Sequence, residues 1–227
     1  GMKPFIISSG KDDDELMGLS ASCKQFYARA NKENGTLVLY DVTGSKMNVS
    51  LNYLLRWYRG TFIPNIEIDS VDDIPLLKEI LDSYGIGEDL VIWAKDNFLI
   101  NVAKENYFPT SRFGYISNAT DLSTSSLVTQ EVINAGASGA TFIRIKNELL
   151  NKDNVSWFTG RGYTVVADAT DYQYGDVIDG VLDGASHILV PFSKEAVKEC
   201  AMIDNDNIFS VENANSQLLS NQVHSMF

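Results

Sequence analysis

The sequence has little of the chemistry that builds metal–thiolate sites, disulfide frameworks or membrane spans. Its 227 residues include two cysteines, Cys23 and Cys200, and neither has a further Cys or His at a metal-ligand spacing. We interpret both as buried free thiols, with a disulfide between them as the alternative. No segment approaches the ~18 consecutive apolar residues of a transmembrane helix, and no signal-peptide pattern is visible. We therefore expect a soluble protein without a transmembrane segment, and the sequence does not specify its compartment.

Basic residues are scarce relative to acidic ones. Eighteen Lys and Arg against thirty Asp and Glu give a formal net charge of −12 at pH 7. A field of that sign repels a polyanion, so the composition argues against a nucleic-acid partner. No Gly-rich phosphate-binding loop follows any predicted strand.

Histidine is equally scarce, with only His187 and His224 in the chain. His187 opens the last predicted strand and His224 lies in the C-terminal tail, so we interpret them as structural or surface residues. A Ser–His or Cys–His nucleophile system is therefore not predicted.

What the sequence does contain is a regular alternation of short apolar runs and longer amphipathic stretches. Successive runs start about 20 to 30 residues apart, without a linker or a low-complexity block, and most lack strict polar alternation, as buried parallel strands do. The pattern predicts an α/β fold with a single (βα)₈ barrel domain over residues 1–227, ending in a C-terminal helix and a polar tail from about residue 194. The predicted strands are Phe5–Ser8, Thr36–Asp41, Phe62–Asp69, Leu90–Lys95, Arg112–Ser117, Thr141–Lys146, Tyr163–Asp168 and His187–Phe192. The predicted helices are Asp14–Asn31, Ser50–Tyr58, Asp72–Tyr84, Asn97–Glu105, Ser126–Asn134, Asn147–Asn154 (the weakest), Asp176–Leu182 and Lys194–Ile203.

An acidic run, Asp12-Asp13-Asp14, precedes the first predicted helix. It has the composition of a catalytic acid cluster, but carboxylates at that position also cap a helix and complement its dipole. We favour the cap.

Function in such a barrel gathers where the strands end. Glu67 is the most informative residue there, because a carboxylate between Ile66 and Ile68 inside a strand is costly unless it is paired. Strand alternation places Glu67 and Asp69 on the inner face. Two interpretations stay open: Glu67 is functional, or it pairs with an inward cation such as Arg144.

The other candidates are charged or polar residues at the same strand ends. Asp41 and Glu67, with Asp168 as a third donor, are oxygen ligands that suit Mg²⁺ or Ca²⁺. Lys95 and Lys146 could each face a phosphate as a point charge. The remaining strand-end candidates for the site are Ser8, Ser9, Asp69, Ser117 and Asp171.

From Ser50 onward, the sequence resembles the glycerophosphodiester phosphodiesterase family of phospholipase-C-like barrels. The matching stretches, in the family's order, are Asn65–Ile68, Leu76–Gly85, Asp89–Trp93, Arg112–Ile116, Gly162–Ala167 and Gly184–Leu189. The resemblance implies a barrel fold, a phosphoric diester hydrolase ancestry in lipid metabolism and a metal-bound site in which Glu67 is retained.

The resemblance also shows what this sequence has lost. The family's first strand ends His-Arg-Gly, whereas Ser8-Ser9-Gly10 keeps only the glycine. Of a Glu and an Asp two residues apart at the end of the second strand, Asp41 matches the Asp and Leu39 replaces the Glu. The insertion that carries a second histidine is missing, Asp69 replaces a Lys, and Asp168 replaces a Trp.

These losses lead to two main hypotheses. The first is a phosphodiesterase-like barrel that is degenerate in catalysis and serves as a binding or interaction module for a small phosphorylated molecule or a protein. The second is an active, divergent hydrolase that uses Asp41, Glu67 and a metal, with Asp69 or Asp168 as the base and Lys95 or Lys146 on the phosphate. A third, broader possibility is a barrel enzyme of another class that acts on sugars through its carboxylates.

Overall fold

The computed structural model describes residues 5–20 and 23–204, and within them eight parallel strands close into a barrel. Each barrel strand pairs with the next around the ring, and β1 pairs with both β2 and β9, which closes it. The strands are β1 (Phe5–Ser8), β2 (Gln25–Glu33), β3 (Thr36–Tyr40), β4 (Ile63–Glu67), β5 (Val91–Ala94), β6 (Arg112–Ile116), β7 (Phe142–Lys146), β8 (Thr164–Asp168) and β9 (His187–Leu189). All except β3 belong to the barrel.

Helices follow the strands along the chain, and the predicted (βα)₈ fold class is confirmed. The helices are α1 (Asp13–Ser20), α2 (Leu51–Tyr58), α3 (Ile74–Ser83), α4 (Asn97–Asn106), α5 (Ser125–Gly136), α6 (Lys152–Gly160), α7 (Asp176–Leu182) and α8 (Lys194–Asp204). Asp12 accepts a hydrogen bond from the Glu15 amide (3.0 Å) at the start of α1, as the cap interpretation of the acidic run predicts. The predicted polar tail and His224 lie outside the described residues.

The segment after α1 is a strand and not the continuation of the predicted helix. A helix was predicted over Asp14–Asn31, but the helix ends at Ser20 and Gln25–Glu33 is the second barrel strand. The apolar residues Phe26, Ala28 and Ala30 alternate with inward-facing neighbours and pack under the surrounding helices. The alternation of buried residues with a period of two, and not the helical spacing, therefore corresponds to the structure of this segment.

The next predicted strand is also assigned to the wrong place in the fold. Thr36–Asp41 was predicted to be a barrel strand, but β3 runs antiparallel to β2 and lies outside the ring. The turn between them is Asn34-Gly35, with φ of 52° and 79°. Both values are positive, as a two-residue hairpin turn of the Asn-Gly type requires.

A smaller correction concerns the weakest predicted helix, Asn147–Asn154. That segment holds a 3₁₀ turn, Asn147–Leu149, and only the start of α6. Asn151 caps α6 by accepting a hydrogen bond from the Asn154 amide (2.8 Å), which delays the helix start.

The barrel separates two apolar cores. The larger one lies between the outer face of the strands and the helices, and the smaller one fills the barrel interior. The inner core consists of Ile7, Tyr27, Val91, Trp93, Ile116, Phe142, Val166 and Leu189, with Val42 packed against it.

Aromatic rings and amides fill the lower interior, toward the N-terminal ends of the strands; we call this region the barrel floor. Trp93 is fully buried, and its Nε1 donates to Asn65 Oδ1 (3.0 Å). Asn65 Nδ2 in turn donates to Gln25 Oε1 (3.1 Å). Gly114 leaves room for the indole, since a Cβ at that position would lie 2.3 Å from a Trp93 ring carbon.

His187 belongs to the floor, at the end of the barrel away from the strand termini where sites form. Its ring stacks on Phe5 (centroids 4.9 Å apart) and meets Phe142 edge-on (5.7 Å). Burial, with the nearby positive charge of Arg112, lowers the pKa of His187 to about 4. The imidazole is therefore neutral at pH 7, in agreement with the structural role predicted for it.

Two predictions from composition are also tested by the structure. Cys23 and Cys200 are both buried thiols, although Cys23 precedes β2 and is not in a helix. No described helix has the length and apolarity that crossing a bilayer requires.

Candidate functional site

Four side chains from four strands meet near the C-terminal ends of the barrel strands. They are Tyr27 on β2, Glu67 at the end of β4, Arg144 on β7 and Asp168 at the end of β8; we call them the mouth cluster. Each faces the barrel interior because it occupies the inward position of the strand alternation.

Arg144 connects the other three members. Its Nε donates to Asp168 Oδ2 (2.8 Å), and its Nη1 donates to the Tyr27 hydroxyl (2.6 Å). The same Nη1 lies 3.4 Å from Glu67 Oε1, which also accepts a hydrogen bond from Tyr27 (2.6 Å). One guanidinium therefore crosses the interior and joins strands from opposite walls of the barrel.

The charged members of this cluster are mostly removed from water. The side chains of Arg144 and Glu67 are each 11% exposed, and that of Asp168 is 12% exposed. Buried ion pairs of this kind persist only when each charge has close, hydrogen-bonded partners.

The pKa values follow from that environment. Burial raises the pKa of Tyr27 well above 10.0, so its hydroxyl stays protonated. For Asp168, burial alone favours the neutral acid, but Arg144 and Thr170 outweigh it and lower the pKa. For Arg144, burial alone would lower the pKa, but the facing Tyr27, Asp168 and Glu67 raise it above its usual value. The cluster therefore combines the Asp168 carboxylate and the Arg144 guanidinium with a protonated Tyr27.

The pairing of Glu67 with Arg144 was one of two interpretations that the sequence left open, and the structure contains that pair. The functional interpretation of Glu67 would need its carboxylate free for a ligand. One of its oxygens, Oε1, is instead held by Tyr27 and Arg144.

A second ion pair lies at the edge of the mouth, beside the hairpin of β2 and β3. Arg29 Nη1 is 3.0 Å from Asp69 Oδ2, and its guanidinium stacks on the Tyr40 ring (4.6 Å). Asn31 also donates to Asp69. The Asp69 side chain is 42% exposed, so this pair is open to water, unlike the mouth cluster.

The structure does not bring Asp41 into the mouth cluster. Its Oδ1 accepts hydrogen bonds from the Thr43 amide (2.9 Å), the Thr43 hydroxyl (2.6 Å) and the Ser45 amide (3.0 Å). The carboxylate thus stabilises the loop after β3. The resemblance matched Asp41 to the end of the second barrel strand, and that assignment is corrected, because this strand is β2 and its two inward residues there are Tyr27 and Arg29.

Ser9 has a similar local role. It is 2% exposed, and its hydroxyl accepts a hydrogen bond from the Val42 amide (3.2 Å). Val42 packs on the inner core, so the contact attaches the loop after β3 to the end of β1.

The two predicted phosphate contacts, Lys95 and Lys146, lie at the ends of β5 and β7 and are exposed. Lys146 borders a groove of about 580 Å³ beside the mouth, between the segments that follow β7 and β8. The groove is lined chiefly by polar and acidic residues, which include Glu148, Asp168, Thr170, Asp171, Gln173, Asp176, Asp179 and Asp183.

The donor set does not fit the divalent metal that the resemblance implies. Within residues 5–20 and 23–204, no group of three or more His, Cys, Asp or Glu side chains is placed to hold a metal ion. Glu67 is engaged by Arg144, Asp168 by the same guanidinium, and Asp41 by its own loop. A hard cation takes six or more oxygen ligands, waters included, and each of these carboxylates already has a partner within the protein.

Tyr27 and Arg29 were missed because their segment was predicted to be helical. The signal that could have found them is Asn34-Gly35, which predicts a hairpin and therefore a strand immediately before it. With that strand in place, alternation puts both side chains inside the barrel.

Comparison with known proteins gives the same fold. No protein-family model and no curated protein matches the sequence. Among solved structures, an assigned glycerophosphodiester phosphodiesterase of Galdieria sulphuraria matches with a TM-score of 0.68 and 13% identity, over 87% of this chain and 98% of that one. A glycerophosphodiester phosphodiesterase of Parabacteroides distasonis matches with a TM-score of 0.65 and 11% identity, over 88% of this chain and 96% of that one.

A third structure, the Oleispira antarctica phosphodiesterase in complex with sn-glycerol-3-phosphate, matches with a TM-score of 0.64 and 12% identity, over 87% of this chain and 96% of that one. At such identities the likeness concerns the fold and not the chemistry. The chain therefore has the barrel fold of the glycerophosphodiester phosphodiesterases, as its sequence resemblance predicted.

Proposed function

We propose that this protein is a glycerophosphodiester phosphodiesterase-like barrel that is degenerate in catalysis and acts as a binding or interaction module. One observation carries the proposal: the Oε1 atom of Glu67 is held by Tyr27 and Arg144 inside a buried cluster. The charge of that carboxylate is already balanced within the protein, which disfavours its use as a metal ligand or as a base.

The protonation states of the cluster support the same conclusion. General acid–base catalysis works best when the pKa of the catalytic group lies near the working pH. The pKa values of Tyr27 and Arg144 are raised and that of Asp168 is lowered, so all three pKa values lie further from pH 7 than usual. The imidazole of His187, the one histidine within the described residues, lies in the barrel floor.

The groove beside the mouth is the binding place that we propose. Lys146 is the one basic side chain among its described lining residues, and several carboxylates surround it. That charge balance disfavours a phosphodiester, whose negative charge the carboxylates repel. A phosphate monoester carries up to two negative charges and is repelled more strongly, so a protein segment that presents basic side chains fits the groove better.

The alternative, a divergent metal-dependent phosphodiester hydrolase, requires two rearrangements. Asp41 would have to leave the loop that it stabilises, and Glu67 would have to leave Arg144. It predicts that Mg²⁺ or Ca²⁺ raises the melting temperature and that Asp41→Asn abolishes the rise.

The proposal is tested by assaying release of sn-glycerol-3-phosphate from glycerophosphocholine, with Mg²⁺ or Ca²⁺ from micromolar to millimolar concentrations. The Oleispira antarctica phosphodiesterase serves as the positive control. We expect no turnover above the buffer blank for the wild type. Turnover that disappears in Glu67→Gln would overturn the proposal, because only a Glu67-dependent reaction belongs to this site.

A further inference from the structure

Two buried carboxylates and a phenol oxygen converge on one cationic group inside the mouth cluster. Glu67 Oε1 lies 3.4 Å from Arg144 Nη1, and Asp168 Oδ2 lies 2.8 Å from Arg144 Nε. The Tyr27 oxygen accepts a third contact from the same guanidinium (2.6 Å). Oxygen atoms gathered around one positive charge are also the environment that proteins use for hard cations.

We infer that the Arg144 guanidinium is the built-in cation of this barrel, so that it occupies the space between Glu67 and Asp168 and excludes a divalent metal from it. The inference rests on the proposed function in one respect, since both treat the mouth cluster as closed. It goes further by assigning a positive role to Arg144.

The attachment of Arg144 supports this role. The residue comes from β7, while its partners come from β2, β4 and β8, at separations of 117, 77 and 24 residues along the chain. A side chain that spans the barrel in this way cannot move aside without breaking contacts to three strands. The guanidinium is also delocalised and always charged, which suits a buried pairing with carboxylates better than an ammonium does.

The charge balance explains why removal of Arg144 should have a specific consequence. With the guanidinium gone, Glu67 and Asp168 would both lose their shared cationic partner while about a tenth of their side-chain surface is exposed. Two carboxylates in that situation either take up a proton or attract a cation. We therefore expect Arg144→Met to gain a divalent-cation response that the wild type lacks.

The experiment measures melting temperature against Mg²⁺, Ca²⁺ and Mn²⁺, each alone, from zero to 10 mM. The wild type should shift by less than ~1 °C, and Arg144→Met should be stabilised by roughly 5–11 °C, the range that a site saturated about 100-fold above its dissociation constant gives for a chain of this size. The double variant Arg144→Met with Glu67→Gln should lose most of that rise.

Arg144→Lys is the matched control, because it retains a positive charge at the same position. It should remain insensitive to the metals, whereas a mere loss of packing would make it behave like the methionine variant. A metal response in Arg144→Lys equal to that of Arg144→Met would overturn the inference, and so would the absence of a response in a folded Arg144→Met.

A second measurement applies even if Arg144→Met does not fold. Calorimetric titration of Mn²⁺ into the wild type and into Glu67→Gln should give superimposable curves. Binding that is present in the wild type and lost in Glu67→Gln would show that a metal reaches Glu67 beside Arg144, and would overturn the inference. The outcome is independent of the hydrolysis assay: a metal-free mouth that still hydrolyses the diester contradicts the proposed function and leaves the role of Arg144 intact.

Discussion

The floor and the mouth of the barrel are filled by different kinds of interaction. In the floor, Trp93 and its neighbouring rings occupy the volume, and the amides of Asn65 and Gln25 satisfy one another and the indole. In the mouth, the same barrel is filled by a charged network centred on Arg144. The floor is filled by close packing of rings and amides, and the mouth is filled by ion pairs and hydrogen bonds.

The difference determines which substitutions should destabilise each end of the barrel. A space-filling floor loses stability when volume is added or removed, whereas a charged mouth loses stability when one charge is left without its partner. In the function that we propose, the same difference matters because the charge of Glu67 is balanced by an internal guanidinium.

The strongest way to break the mouth is to remove its one cation. Arg144→Met should reduce the free energy of unfolding by about 3–5 kcal/mol, because Glu67 and Asp168 would remain buried without a counter-charge. Urea unfolding at pH 7.5 in the presence of a chelator measures the loss. A loss below ~1 kcal/mol would mean that the cluster contributes no more than a surface pair.

The floor can be tested through pH, because His187 is neutral in the fold. Its pKa is about 4 in the folded chain against 6.5 for the unperturbed group. Between those values the unfolded chain binds a proton that the folded chain does not, so stability is full above pH 6.5 and falls as the pH drops toward 4. Titration of His187 should therefore lower the free energy of unfolding by about 2–3 kcal/mol between pH 7.5 and pH 4.5.

The variant His187→Phe isolates this contribution, since a phenyl ring can keep the stacking with Phe5 and Phe142. The difference in unfolding free energy between wild type and variant should change by that amount across the pH range. Parallel stability curves for the two proteins would contradict a buried, neutral His187.

The shape of the floor is tested at Gly114. An added methyl group would lie 2.3 Å from a Trp93 ring carbon, so Gly114→Ala should destabilise the protein by about 1–3 kcal/mol through overpacking. Gly160→Ala is the matched control, because Gly160 is the last residue of α6 and a methyl group there meets nothing within 4 Å. Equal melting temperatures for the two variants would contradict the close packing.

The smallest effect is expected at the edge of the mouth. Arg29→Met removes the partner of Asp69, but that carboxylate is 42% exposed and is solvated by water in the variant. The loss of stability should stay below ~1 kcal/mol and should shrink further in 1 M salt. A loss as large as that of Arg144→Met would remove the distinction between the buried cluster and the exposed pair.

Part of this arrangement could be predicted from sequence because its signals are local. Glu67 stands between two isoleucines in a short apolar strand, so alternation alone places it inside and makes a cationic partner necessary. Arg144 occupies the corresponding inward position on a later strand. The pair follows from the pattern once both strands are identified.

The prediction is wrong for the segment whose apolar residues fit both the helical period and the strand period. Cys23, Phe26, Tyr27 and Ala30 have helical spacing, and the alternation of Phe26, Ala28 and Ala30 fits a strand equally well. Tertiary context decides between them, since β2 fills the gap between β1 and β4 that the barrel must close. The predicted proximity of Asp41 to Glu67 failed to appear for the same reason, because Asp41 follows a hairpin strand outside the ring.

The central claim, that Arg144 rather than a metal balances Glu67 and Asp168, can be tested directly by crystallography. Crystals grown with millimolar MnCl₂ and measured at a wavelength where manganese scatters anomalously would locate any bound ion. The account predicts the guanidinium in contact with Glu67 and Asp168 and no anomalous peak within ~2.6 Å of either carboxylate. A manganese peak bonded to Glu67, with the Arg144 side chain displaced, would contradict it.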